Sequence, residues 1–105
     1  GEVEGKDCLL TDDMIDTAGT VSEAARALKA LGANDIYVCA THALFSGPAV
    51  ERLSAAPIKE VVVTDSIELS PEKHFDSLRI LSVGELLAKA IRFTHADQSV
   101  SSLFE

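Results

Sequence analysis

The chain has 105 residues, 17 acidic and 9 basic side chains, and a formal charge of −8. That length holds one domain, which buries roughly two-thirds of the surface its unfolded chain would expose. The acidic balance argues against a nucleic-acid or anionic-membrane surface, since both need a cationic footprint, and no apolar run approaches the ~20 residues that span a bilayer.

Aromatics are only 5% and Trp is absent, so the core is expected to come from Val, Ile, Leu and Ala. Asp7–Thr11 reads as a short buried strand running into a polar, Gly-containing turn, Asp12–Thr20. Val21, Ala24, Ala25, Leu28 and Leu31 then have the spacing of one helical face. Gly32 is its stop and Asn34-Asp35 the turn that follows. Asp35–Thr41 is a second buried strand, rich in β-branched and aromatic residues. His42–Pro48 reads as a loop, with Pro48 suited to the first turn of a short helix ending near Ala55. Ile58–Thr64 contains Val61-Val62-Val63, the clearest strand of the chain. A polar connection, Asp65–Ser77, leads to a short strand at Leu78–Leu81 and a helix over Ser82–Thr94. Ser82 and Glu85 have capping-box spacing, and Val83, Leu86, Leu87, Ala90 and Ile91 share one face of that helix.

Alternating strands and helices with near-continuous apolar strands specify an α/β fold: a parallel sheet with helices on both faces. Such sheets bind ligands at the carboxyl ends of their strands, here the loops after Thr11, Thr41 and Thr64. Cys8 and Cys39 each sit in an apolar run, where a thiol packs as a small hydrophobe rather than forming a disulfide framework. No signal-peptide pattern opens the chain, so a cytoplasmic compartment is expected. The chain starts at Gly1 and its only Met is Met14, which reads as a processed chain or a piece of something longer.

The loop after the first strand carries the chemistry. It reads Asp12-Asp13-Met14-Ile15-Asp16-Thr17-Ala18-Gly19-Thr20. Gly19 permits close backbone approach, Thr17 and Thr20 add hydroxyl donors, and the following helix adds its positive N-terminal end. Together these suit one phosphate. The three carboxylates suit vicinal sugar hydroxyls or a hard divalent cation. Hydroxyls on one side and a phosphate on the other describe a pentose 5-phosphate; the plain alternative is a solvated turn with an N-capping Thr.

This nonamer resembles the ribose-5-phosphate loop of the type I phosphoribosyltransferase fold, and in detail that of the ribose-phosphate pyrophosphokinase family. Also similar to the C-terminal part of that family are Thr41-His42-Ala43-Leu44-Phe45-Ser46-Gly47-Pro48-Ala49, Val61-Val62-Val63-Thr64-Asp65-Ser66-Ile67, Leu81-Ser82-Val83, Leu86-Leu87-Ala88, Ala90-Ile91-Arg92 and the tail Ser99-Val100-Ser101-Ser102-Leu103-Phe104. The resemblance runs nearly end to end. It implies a single, incomplete domain over residues 1–105, a C-terminal fragment with a phosphoribosyltransferase-like fold. The implied reaction is transfer of the ATP diphosphoryl group to the anomeric hydroxyl of ribose 5-phosphate, with Mg²⁺, in a homo-oligomer. The family's ribose-5-phosphate contacts fall on Asp12, Asp16, Thr17, Ala18, Gly19 and Thr20, with Asp13 as companion acid.

In that family the nucleotide site and basic catalytic loop lie upstream of the segment matching Gly1. Catalytic residues are therefore expected outside these 105 residues, the chain alone is expected to be inactive, and this piece is read as lacking a cationic clamp. The metal ligands are left unassigned. The matching tail of the family lies near a subunit-bridging regulatory site, which gives Ser99, Ser101 and Ser102 an implied anion-binding role. His42 reads as a hydrogen-bonded structural histidine or a site residue, and Asp65 as a site residue or a cap. His74 and His95 have no metal-ligand partner at useful spacing. The competing function is a non-catalytic sugar-phosphate-binding, regulatory or synthetase-associated domain.

Overall fold

A computed structural model of the chain describes residues 2–95. Four strands, β1 (Cys8–Ile15), β2 (Ile36–Ala43), β3 (Glu60–Thr64) and β4 (Leu78–Leu81), form one sheet in the order β1-β2-β3-β4. All three pairings are parallel, with Cys8 opposite Ile36, Val38 opposite Val61, and Val63 opposite Ile80. Between the strands lie α1 (Gly19–Ala30), α2 (Ala49–Ala55) and a single 3-10 turn at Pro71–Lys73; α3 (Gly84–His95) follows β4.

The α1 helix forms where the apolar spacing placed it, turning Val21, Ala25 and Leu28 toward the sheet. It ends at Ala30 because Gly32 takes φ 92°, a left-handed conformation that costs glycine little. Leu31, expected on the buried face, is instead the cap residue beyond the helix and is 64% exposed. Pro48 is likewise the residue before α2 rather than its first helical position.

The parallel sheet with helices matches the sequence reading, but the expected helix cover on both faces is corrected: α1 and α2 pack on one face, and Leu9, Cys39 and Leu81 on the other are exposed. With strands in sequential order, right-handed crossovers put successive connections on the same face. Ile36, Val38, Ala40, Val61 and Val63 accordingly face a core shared with Ala25 of α1 and Leu53 of α2. The alternate positions make the other face. On it, among the described residues, Leu9 is 63% exposed and Leu81 52% exposed.

This explains the one cysteine that departs from expectation. Cys8 packs against the core, whereas Cys39, between buried Val38 and Ala40, is exposed on the open face. Cys39 is therefore expected to react with iodoacetamide in the folded chain at close to its denatured rate, with Cys8 lagging. Peptide mapping of the alkylated protein at early times checks this.

At the end of β2 the alternation breaks: Ala40 and Ala43 are both buried, as is Ile15 opposite Ala43. The sheet therefore continues into the region read as loop. β1 runs to Ile15 rather than Thr11, so Asp12 and Asp13 belong to a strand.

Ser22, on α1, is 1% exposed and its hydroxyl has no hydrogen-bond partner among the described residues. An unpaired buried hydroxyl costs free energy that a methyl does not. Ser22→Ala is expected to stabilise the fold by about 1 kcal/mol, measured by urea denaturation.

The start of α3 is held by the loop after β3. Asp65 Oδ1 accepts the Val83 N–H at 2.8 Å, and Ser82 Oγ accepts the Gly84 N–H at 3.2 Å. Asp65 is thus a cap, and Ser82 closes a turn onto Gly84 rather than the bond to the residue-85 N–H that a capping box would make. The Glu85 side chain, like the tail with Ser99, Ser101 and Ser102, lies outside the described residues. Hydrogen bonding from Val83 holds the Asp65 carboxyl below its ordinary 3.8. A lowered carboxylate pKa contributes stability that is present above the ordinary value and lost as pH falls through the lowered one. The Val83 amide resonance is expected to titrate with a midpoint below 3.8, with no such titration in Asp65→Asn. An NMR pH series checks this.

Candidate functional site

Beyond β1 the chain turns through Asp16 and Thr17 and enters α1 at the carboxyl end of the sheet. A cleft of about 170 Å³ opens there, lined by Asp12 and by every residue from 14 to 21. Of the expected binding residues it brings together Asp12, Asp16, Thr17, Ala18, Gly19 and Thr20. Asp13 is not among the lining residues. Its backbone N–H donates to Asp12 Oδ1 at 2.8 Å. Side-chain and backbone hydrogen bonding with Asp13 holds the Asp12 carboxyl below the ordinary 3.8.

The residue before α1 is Ala18, in the left-handed region with φ 64° and ψ 14°, and no side chain caps the helix. The plain alternative of an N-capping Thr is therefore not what forms. First-turn N–H groups have no intrahelical partner, and here no carboxylate sits in that turn to occupy them. The left-handed residue is Ala18 and not the adjacent Gly19. A non-glycine residue in that region carries a strain of roughly 1–2 kcal/mol. Such strain persists where the surroundings determine it.

Those surroundings come from the segment after β2. Leu44 N–H donates to Ile15 O at 2.9 Å, Phe45 N–H to the same oxygen at 3.3 Å, and Ser46 N–H to Asp16 O at 2.8 Å. Phe45, with φ 52°, drives its ring into the core at 1% exposure, 5.9 Å from the Phe75 ring centroid. From α2, Arg52 reaches back so that Nη1 donates to Thr17 O at 3.1 Å. Sequence reasoning missed Arg52, because nothing in its local pattern signals a contact 35 positions away.

At the neighbouring strand ends, Thr64 Oγ1 donates to Thr41 O at 2.6 Å and Ser66 Oγ lies 3.2 Å from the same carbonyl. His42 Nδ1 is 2.7 Å from Ser66 Oγ. With the Ser66 proton directed to Thr41, its oxygen accepts from His42 Nδ1–H. His42 is therefore a hydrogen-bonded histidine that ties β2 to the loop after β3. Among the described residues no three His, Cys, Asp or Glu side chains gather as a metal site.

A four-stranded parallel sheet with a cleft over the first strand end is the architecture of a phosphoribosyltransferase-like fold. The chain superposes on a crystal structure of phosphoribosylpyrophosphate synthetase from Mycobacterium smegmatis with a TM-score of 0.90 and 43% identity, covering 92% of this chain and 33% of that one. Residues 1–105 match the model of the phosphoribosyl synthetase-associated domain, and the chain belongs to that family. It is 53% identical to a ribose-phosphate pyrophosphokinase of Gloeobacter violaceus over 99% of its own length and 31% of that protein's. It is 55% identical to the ribose-phosphate pyrophosphokinase of Bacillus subtilis over 99% of its length and 33% of that protein's. The chain thus spans about a third of the curated relatives it matches. No helix among the described residues is long and apolar enough to cross a membrane.

Proposed function

We propose that this chain is the ribose-5-phosphate-binding, C-terminal portion of a cytoplasmic ribose-phosphate pyrophosphokinase, which transfers the diphosphoryl group of ATP to the anomeric hydroxyl. The observation that carries the reading is the cleft itself, where two carboxylates and an uncapped helix N-terminus meet in one run of nine residues. The phosphate takes the N–H groups around Gly19 and Thr20 and the hydroxyls of Thr17 and Thr20. The ribose hydroxyls donate to the carboxylates of Asp12 and Asp16. Asp13 supports Asp12.

Mg²⁺, which the family implies, would draw on Asp12 and Asp16. Such ions take one or two carboxylates and complete their shell with water and substrate oxygens. When bound, it would neutralise charge developing on the transferred phosphoryl group. The basic residues that usually share that task are not gathered in this acidic chain, whose charge is −8. The exposed apolar residues Leu9 and Leu81 on one sheet face, and Leu87 and Ile91 on α3, support a unit that works packed against further protein, as in a homo-oligomer of a longer chain.

Ribose 5-phosphate is expected to bind the chain at least about tenfold more tightly than ribose or inorganic phosphate, because each of these fills only one half of the cleft. Titration calorimetry with the three ligands tests this; equal affinities for all would contradict the reading. The pure chain supplied with ATP, Mg²⁺ and ribose 5-phosphate is expected to form no AMP.

The family's description as a synthetase-associated domain favours a second reading, a non-catalytic sugar-phosphate-binding partner of a synthetase. Mixing the chain with an active synthetase separates the two readings, since a partner changes the rate of AMP formation and a mere portion does not.

A further inference from the structure

Gly19 is not in a glycine-only conformation, so its lack of a side chain needs another cause. A Cβ built there would stand 3.2 Å from Arg52 Nη1, tighter than ordinary contact, with no other group except Arg52 Cζ near it. The same nitrogen donates to Thr17 O at 3.1 Å. One guanidinium therefore fixes the carbonyl before Ala18 and fills the space over the residue after it. A planar guanidinium suits this, since it can aim one N–H at a carbonyl while its edge lies against backbone. Arg52 is set in α2, which is anchored in the core by buried Ala49 and Leu53. The carbonyls of Ile15 and Asp16 are held separately, by the N–H groups of Leu44, Phe45 and Ser46.

We infer that Arg52 is a positioning residue for the sugar-phosphate loop. It couples α2 to the left-handed turn at Ala18 and makes glycine the fitting residue at position 19. The inference rests on the reading of the loop as a ribose-5-phosphate site. It places a fixed cation beside the phosphate half of the cleft.

A double-mutant cycle on the 105-residue chain tests it, using Arg52→Met, Gly19→Ala and the pair, with Arg52→Lys as the conservative variant. Free-state amide resonances of residues 17–21 and ribose-5-phosphate affinity are the two readouts, and the amides of Val61–Val63 report that the fold is intact. Arg52→Met is expected to shift the loop amides, leave those of β3 in place and weaken ribose 5-phosphate about tenfold, as loss of one charge-assisted hydrogen bond implies. Arg52→Lys is expected to restore part of that loss. Gly19→Ala is expected to weaken binding in the parent chain but by much less in the Arg52→Met background, since the obstructing group is then gone. Unmoved loop amides in Arg52→Met, or strictly additive effects of the two substitutions, would overturn the inference. Should no protein in the cycle bind ribose 5-phosphate, the sugar-phosphate reading fails. The loop amides then still decide the positioning role.

Discussion

Replacing Phe45 with alanine is expected to destabilise the chain by about 3–5 kcal/mol, the cost of deleting a fully buried aromatic and leaving its cavity. The ring is 1% exposed and meets Phe75 at 5.9 Å, so both area and a tilted aromatic pair are lost. For a domain near 100 residues this corresponds to a fall in Tm of more than about 10 °C, read by thermal denaturation. The backbone adds a second signature. At φ 52° alanine keeps the left-handed strain of the phenylalanine, whereas glycine relieves it. Phe45→Gly should therefore be no less stable than Phe45→Ala despite having the smaller side chain. The substitution also reaches the site, because the N–H groups of Leu44, Phe45 and Ser46 hold the carbonyls of Ile15 and Asp16. Faster amide exchange at residues 44–46 should accompany the loss of stability. A cost below about 1 kcal/mol would mean that the core does not close around this ring as described.

The second large effect falls on ligand discrimination. In the proposed binding mode the carboxylates read the sugar and the loop backbone reads the phosphate. Asp16→Ala should weaken ribose 5-phosphate by about tenfold to a hundredfold, the range for losing hydrogen bonds to a charged group, while leaving inorganic phosphate binding nearly unchanged. Thr17→Ala should weaken both. Parallel titrations of the two variants with the two ligands give a four-cell pattern that nonspecific anion binding cannot reproduce. An Asp16→Ala chain that binds ribose 5-phosphate like the parent would remove the carboxylate half of the proposal.

Much of this architecture was legible in the sequence because it depends on local pattern. Val61-Val62-Val63 reads as a buried strand, and β4 spans Leu78–Leu81, the residues the pattern marked. The β1 end was not legible, because aspartate is a poor strand former. Asp12 and Asp13 are extended through pairing of β1 with the end of β2, where Met14 lies opposite His42. The openness of one sheet face was hidden for a different reason. A continuous apolar run such as Ile36–Ala40 looks the same whether one face or both are covered, so Cys39 and Leu9 read as buried. The nonamer itself stood out through composition, but the distribution of labour within it did not. The left-handed residue is Ala18, Asp13 supports rather than lines the cleft, and Arg52 enters from a helix more than thirty residues away.

The most direct test is to map ribose 5-phosphate onto the chain by amide chemical shifts. Saturable shifts concentrated at residues 12–21, with the amides of Gly19 and Thr20 moving furthest and those of β4 unmoved, are the predicted result. Shifts centred elsewhere, or none at millimolar ribose 5-phosphate, would contradict the assignment of this loop as the sugar-phosphate site.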